Sequence, residues 1–409
     1  MNSQVVQIGK PKPRARWAER LYKAPLVHKF FLLGALFGLI GTAWLGVHMW
    51  LMLNGQLEMQ GLLYFIFKQL HALVQMDLFL GLFIVGFLLQ TAPKLFEIPD
   101  PTPRWSLWIL VPMLLAGFCL IVFPHQHLHR YLLAVSFFST AAVFCTYYRR
   151  ATLQNRLRLG VLSIFGLCVL GFSPFVDISN PLTALAIFWC GVFAIIIAVS
   201  QQFIIWVLGG LKLQPAQSSI MLVLFFCASA SVVLALTFPN FLDLGIRPLA
   251  IFSLLTLLYF FLATRAAVIS WRKLSEPLAL AFSMSQFWAI TGAGILFLGV
   301  QHADATLHLW ATGVAVTLIL AVSCRVVGVL SGNEVFGSRV LVSMLLFWQI
   351  VPFGRGLRGF LALPAWFSWI TGAAAIGVFC VWSAAIFWRI AQIINRQLAL
   401  RRGEQMLSC

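Results

Sequence analysis

Charge is what this sequence has least of. Only 10% of its 409 residues are Asp, Glu, Lys or Arg, against about 25% in ordinary soluble domains. Acids are scarcer than bases, 11 against 28. The deficit runs the whole length under 61% hydrophobic residues and a mean hydropathy of +0.95. That excludes a soluble enzyme on a single anchor and points to a polytopic membrane protein. Cysteine pairing motifs are missing too. The eight cysteines form no CxxC and no CxxCH, so a disulfide framework and covalent haem attachment are not expected. The first 28 residues are basic and polar without an apolar core, so no cleavable signal peptide is expected and the first span does the targeting. The net charge of +17 is read as basic flanks of membrane spans rather than a nucleic-acid footprint.

Stretches of about 20 apolar residues give twelve expected transmembrane helices, near 29–53, 70–92, 105–123, 128–147, 158–178, 181–208, 216–239, 246–264, 278–300, 305–329, 339–354 and 364–388. The fifth contains Pro174 and the eleventh is short. Breakers such as PDPTPR at 99–104 and NP at 180–181 separate them. The fold class is therefore all-α: a basic N-terminal segment 1–28, one transmembrane domain 29–388 and a basic tail 389–409. With the N-terminus inside, 23 of the 28 Lys and Arg fall on the inner side. That asymmetry favours cytoplasmic termini and an even number of spans. Arg355 and Arg358, near the outer end of the eleventh span, are the main dissenters.

This topology sorts the histidines. His48, His71, His125, His127, His129, His302 and His308 all fall near the outer face, and only His28 lies inside. One interfacial histidine is unremarked in a membrane protein. Seven together point to metal, because imidazole is the commonest protein ligand for iron, copper and zinc. A haem iron takes axial nitrogens that facing helices of a bundle supply. His71 and His308 lie nearest apolar helix and are the first candidates, with His48 and His302 second. HQHLH at 125–129 is a separate signal. Its three imidazoles share a face if extended, and His125 and His129 share one if helical. Either arrangement can hold copper or zinc.

Asp77 sits six residues inward from His71, a rise of about 9 Å. That spacing does not stack the two, whereas Gln75 at i+4 shares the His71 face. Asp77 is read either as part of a proton relay or as a buried structural hydrogen bond. Asp304, between His302 and His308, is placed to accept a hydrogen bond from a ligand imidazole. Gln201 and Gln202 are read as helix–helix glue. The 37 Phe and 15 Trp are read mostly as lipid-facing bulk and interface anchors.

Two segments resemble the NnrS family of haem- and copper-containing bacterial membrane proteins linked to nitric oxide metabolism and tolerance. In the first, His71-Ala72 is followed fifteen residues later by Gly86-Phe87-Leu88-Leu89, with Pro93 closing. Leu73 stands where the family shows a second histidine, and Val74 and Gln75 where it shows Glu and Met. In the second, HLWATGVAVTLILAVSCRVVGVLSG at 308–332, His308, Gly313, Arg325, Val326 and Gly332 stand in register, and Leu330 replaces a further histidine. The resemblance implies a divergent member in the bacterial inner membrane, with non-covalent haem held by His71 and His308, copper as a second metal, and a small diatomic ligand such as nitric oxide. Two other classes stay open: a twelve-span transporter without bound haem, since that layout is shared by unrelated transporters, and an accessory membrane subunit whose polar residues are packing glue.

Overall fold

A computed structural model describes residues 25–53, 70–95, 103–123, 127–151, 160–238, 242–331, 334–358 and 365–407. All regular structure among them is helical. Eight helices are long and apolar enough to cross a membrane, and shorter apolar helices occur at Lys29–Ala43, Ser106–Val122 and Gly160–Phe175. In chain order we label α1 Pro25–Leu53, α2 Leu70–Gln90, α3 Pro103–Val122, α4 Leu128–Arg150, α5 Gly160–Phe172 and α6 Pro181–Gln201. They are followed by α7 Pro215–Thr237, α8 Leu242–Ala263, α9 Pro277–Leu296, α10 Val300–Val329, α11 Ser338–Trp348, α12 Ile350–Arg358 and α13 Ala365–Leu407. Each expected span overlaps one of these, except that the eleventh is split into α11 and α12.

The split has a local cause. Pro352 has no N–H to give to the carbonyl four residues back, and such a residue is tolerated only in a helix's first turn. The chain therefore turns at Gln349 and restarts at Ile350. Similarly, the fifth expected span ends early. Helix α5 stops at Phe172 and a 3₁₀ turn carries Ser173–Phe175, with Pro174 inside it. The last helix does not end with the apolar run but continues to Leu407 through what reads as a tail.

Sequential helices pack as neighbours, α3 on α4, α4 on α5, α7 on α8 and α9 on α10, while α13 lies along α1 and closes the bundle. The Ser383 hydroxyl donates to the Ala35 carbonyl across that last seam, at 3.3 Å. Because lipid tails are as apolar as the side chains, close packing rather than hydrophobicity holds such helices together. Where α5 meets α6, a β-carbon on Gly166 would lie 2.5 Å from the Gly191 carbonyl oxygen, a separation that only glycine permits.

The aromatic residues correct the expectation of lipid-facing bulk. Trp189, Trp310, Trp348 and Trp382 are fully buried, with Phe30, Phe31, Phe79, Phe137, Phe188, Phe193, Phe225 and Phe260. Trp189 meets Trp310 at 5.3 Å and Phe225 at 5.3 Å between ring centroids. Phe79, Phe379 and Trp382 form a second nest where α2 meets α13. Others, such as Trp108, Trp271 and Trp388, do lie on the outside. Hydrophobicity alone does not separate the two populations, because both faces of a membrane helix are apolar.

Candidate functional site

The start of α10 packs against α12, and Ser173, just after α5, meets Asp77 of α2. His71 is in the first turn of α2 and half-buried. Its Nδ1 lies 3.3 Å from the Gly41 carbonyl oxygen of α1. Gln75, its face-mate, donates from Nε2 to Thr42 Oγ1 at 3.2 Å on the same helix. The i,i+4 pair therefore faces α1 together. His308 lies eight residues into α10, with its side chain 20% exposed. Its Nδ1 is 2.8 Å from the Asp304 carbonyl oxygen and 3.5 Å from Asp304 Oδ1. The backbone oxygen, rather than the expected carboxylate, takes the shorter contact. Its Nε2 is 2.6 Å from Arg355 Nη2. Arg355 counted against the topology as an outer cation; here it is a side chain on a candidate ligand.

Both histidines stand just before a change of helical geometry. The chain is π-helical over Val74–Leu80, Phe188–Phe193, Ile204–Leu208 and Leu309–Val316. π-turns are rare and concentrate at functional sites, because the extra residue per turn widens the helix and throws a carbonyl out of register. In α10 the Thr312 carbonyl accepts from Thr317 Oγ1 at 3.2 Å and from Trp348 Nε1 of α11 at 2.9 Å. The helices with π-turns, α2, α6 and α10, also line one cavity of about 100 Å³. Its walls include Leu80, Phe83, Ile195, Ser200, Ala315 and Ile319. The lining is almost wholly apolar, which suits a small uncharged molecule.

Asp77 is fully buried inside the first π-segment. Ser173 Oγ, from the 3₁₀ turn after α5, donates to Asp77 Oδ1 at 2.8 Å. Asp77 Oδ2 has no hydrogen-bond partner among the described residues. Ser173 Oγ is also 2.7 Å from the Leu170 carbonyl, and one hydroxyl proton serves one acceptor at a time. Gln201, buried in α6, likewise has an Oε1 with no hydrogen-bond partner among the described residues.

The remaining candidates are dispersed. His129 is buried at the start of α4, whereas His127, two residues earlier, is exposed. His125 lies outside the described residues, and so does the His48 side chain. Among the described residues, no group of three or more His, Cys, Asp or Glu is placed to hold a metal ion. His302 closes a 3₁₀ turn at the start of α10. Arg325 is exposed, 17 residues along α10 from His308, or roughly 25 Å of rise. The seven described cysteines are unpaired thiols.

Signals for Arg355 and for the π-turns were weak in the sequence. Arg355 was visible only as a charge on the wrong side, and a π-turn inserts a residue without altering a uniformly apolar pattern.

A family model described as NnrS protein matches residues 28–397. No curated protein matches. A haem-copper terminal oxidase, reported as a dimer from cryo-EM, is similar in fold, with a TM-score of 0.55 at 13% identity, covering 92% of this chain and 84% of that one.

Proposed function

The chain belongs to the NnrS family, and from that premise we propose that it is a haem-binding integral membrane protein of nitric oxide metabolism or nitrosative-stress tolerance. We place it in the bacterial inner membrane with twelve spans, cytoplasmic termini and its metal site near the outer face. The observation that carries the reading is shared by His71 and His308. Each holds Nδ1 against a backbone carbonyl, at 3.3 and 2.8 Å, within three residues of the start of a π-helical segment. An imidazole anchored through Nδ1–H offers its Nε2 lone pair to a metal and keeps its ring orientation. Once His308 Nε2 gives up its 2.6 Å contact with Arg355 Nη2, the two imidazoles fit a haem iron as a donor set.

When bound, the haem would supply an iron with affinity for a small diatomic molecule. The protein's part is to fix the two rings and to keep water away with apolar helix walls. The void between α2, α6 and α10 offers an uncharged diatomic a place without polar competition. Copper is the weaker half of the family resemblance here, because His127 and His129 differ in exposure and no three-ligand cluster is found among the described residues.

Adding nitric oxide to the dithionite-reduced protein is expected to shift its Soret band within the mixing time. A haem spectrum that nitric oxide leaves unchanged would reject the nitric oxide part of this reading while keeping the haem.

A further inference from the structure

We infer that Arg355 makes His308 selective for a metal complex that carries its own carboxylates, such as a porphyrin diacid, over a bare metal cation. The inference rests on the haem reading above and adds a specificity element to it.

The direction of the short contact is fixed by chemistry. A guanidinium has only donors and does not lose its proton in proteins. In the 2.6 Å contact, therefore, Arg355 Nη2–H donates and His308 Nε2 accepts. The ring's one proton then sits on Nδ1 and goes to the Asp304 carbonyl at 2.8 Å. His308 is thus the neutral Nδ1–H tautomer, the form suited to ligation, with its ligating lone pair already occupied by a cation.

Arg355 is held there by its neighbours. A β-carbon on Gly354 would collide with Thr371 Oγ1 of α13, and one on Gly356 would lie 2.7 Å from Leu309 Cδ2 of α10. Helix α12 is therefore wedged between α13 and the residue that follows His308. The guanidinium can swing on its own side chain with that backbone packing kept.

Any metal taking Nε2 has to displace this hydrogen bond. Losing that hydrogen bond and placing a dication beside a half-buried positive charge both oppose binding. The Asp304 carboxylate does not offset them. It lies by the opposite ring nitrogen, 3.5 Å from Nδ1, and its side chain is 54% exposed. A metal complex with carboxylate arms reverses the balance, because the displaced guanidinium gains a planar acceptor that it can grip with two N–H groups.

The test compares iron protoporphyrin IX with its dimethyl ester, which keeps the ring and iron and removes both charges. Each is titrated by absorbance into haem-free wild type, Arg355→Gln and Arg355→Lys in one detergent, with Zn²⁺ titrated alongside. Wild type is expected to bind the diacid at least about tenfold more tightly than the diester, the scale of one charged hydrogen bond. Arg355→Gln should bring that ratio close to one and admit Zn²⁺ more tightly, while Arg355→Lys should lie between. Equal binding of diacid and diester by wild type, or a ratio unchanged in Arg355→Gln, would overturn the inference and leave the haem reading standing. Wild type that binds neither porphyrin would reject both. Should Arg355→Gln fail to fold, Arg355→Lys and the wild-type ratio still decide.

Discussion

His71→Ala and His308→Ala are each expected to lose most of the Soret absorbance per protein, with the helical circular dichroism unchanged. Alanine removes the ligating nitrogen and leaves a good helix former in its place. Both side chains are only partly buried. Nδ1 of each ring contacts a backbone carbonyl, at 3.3 Å for His71 and 2.8 Å for His308. Losing such a bond costs about 1 kcal/mol, too little to unfold a bundle of this size. His71→Ala also takes a contact from the Gly41 carbonyl, whereas His308→Ala takes one acceptor from Arg355. If a single variant keeps a full-intensity band, that residue is not an axial ligand. If both keep it, the haem lies elsewhere.

The second large effect is expected at the buried carboxyl. Ser173→Ala should destabilise the protein by about 1–3 kcal/mol, because it removes the hydroxyl that serves Asp77 Oδ1 at 2.8 Å. Asp77 is fully buried, and its Oδ2 already lacks a partner among the described residues. The double variant Asp77→Leu/Ser173→Ala should recover most of that loss, since taking out both polar partners removes the unsatisfied group. Thermal unfolding in detergent reads both. If Ser173→Ala unfolds at the wild-type temperature, the contact has no structural value. If the double variant is stable but its reduced haem no longer responds to nitric oxide as wild type does, Asp77 acts in function rather than in packing.

The two alternatives held for Asp77 in the sequence, a relay or a structural bond, both required something beyond it. Its contact, Ser173, is 96 residues away, and a single sequence does not report pairs at that distance. His71 and His308 were legible because a histidine inside or beside a long apolar run is expensive and rare, and because each opens a family-like motif. Their backbone anchors were legible only in part. Gln75 as the face-mate of His71 follows from helical spacing, and the shared surface on α1 agrees with it. The acceptor for His308 was sought in the Asp304 carboxylate and is the Asp304 carbonyl, since an i,i+4 backbone oxygen is nearer than a side chain that extends into solvent.

Helix positions were legible because twenty apolar residues have few other uses, and eight of the described helices are long and apolar enough to cross a membrane. What happens inside a span was not. The π-turns of α2, α6 and α10 sit in runs where every neighbour is apolar, so no change of period marks them. The break at Gln349 was visible as a short eleventh span, with Pro352 as its physical reason. The burial of Trp189 and Trp310 against each other was not visible, because a tryptophan for an interface and one for a core look the same in composition.

The central claim is that this is a haem protein. The most direct measurement is the absorption spectrum of the wild-type protein purified in mild detergent from cells supplied with a haem precursor, recorded oxidised and dithionite-reduced. The account predicts a Soret band that moves on reduction. A colourless preparation, with the helical fold intact, would contradict it, return His71 and His308 to helix-end residues, and leave a twelve-span transporter as the leading reading.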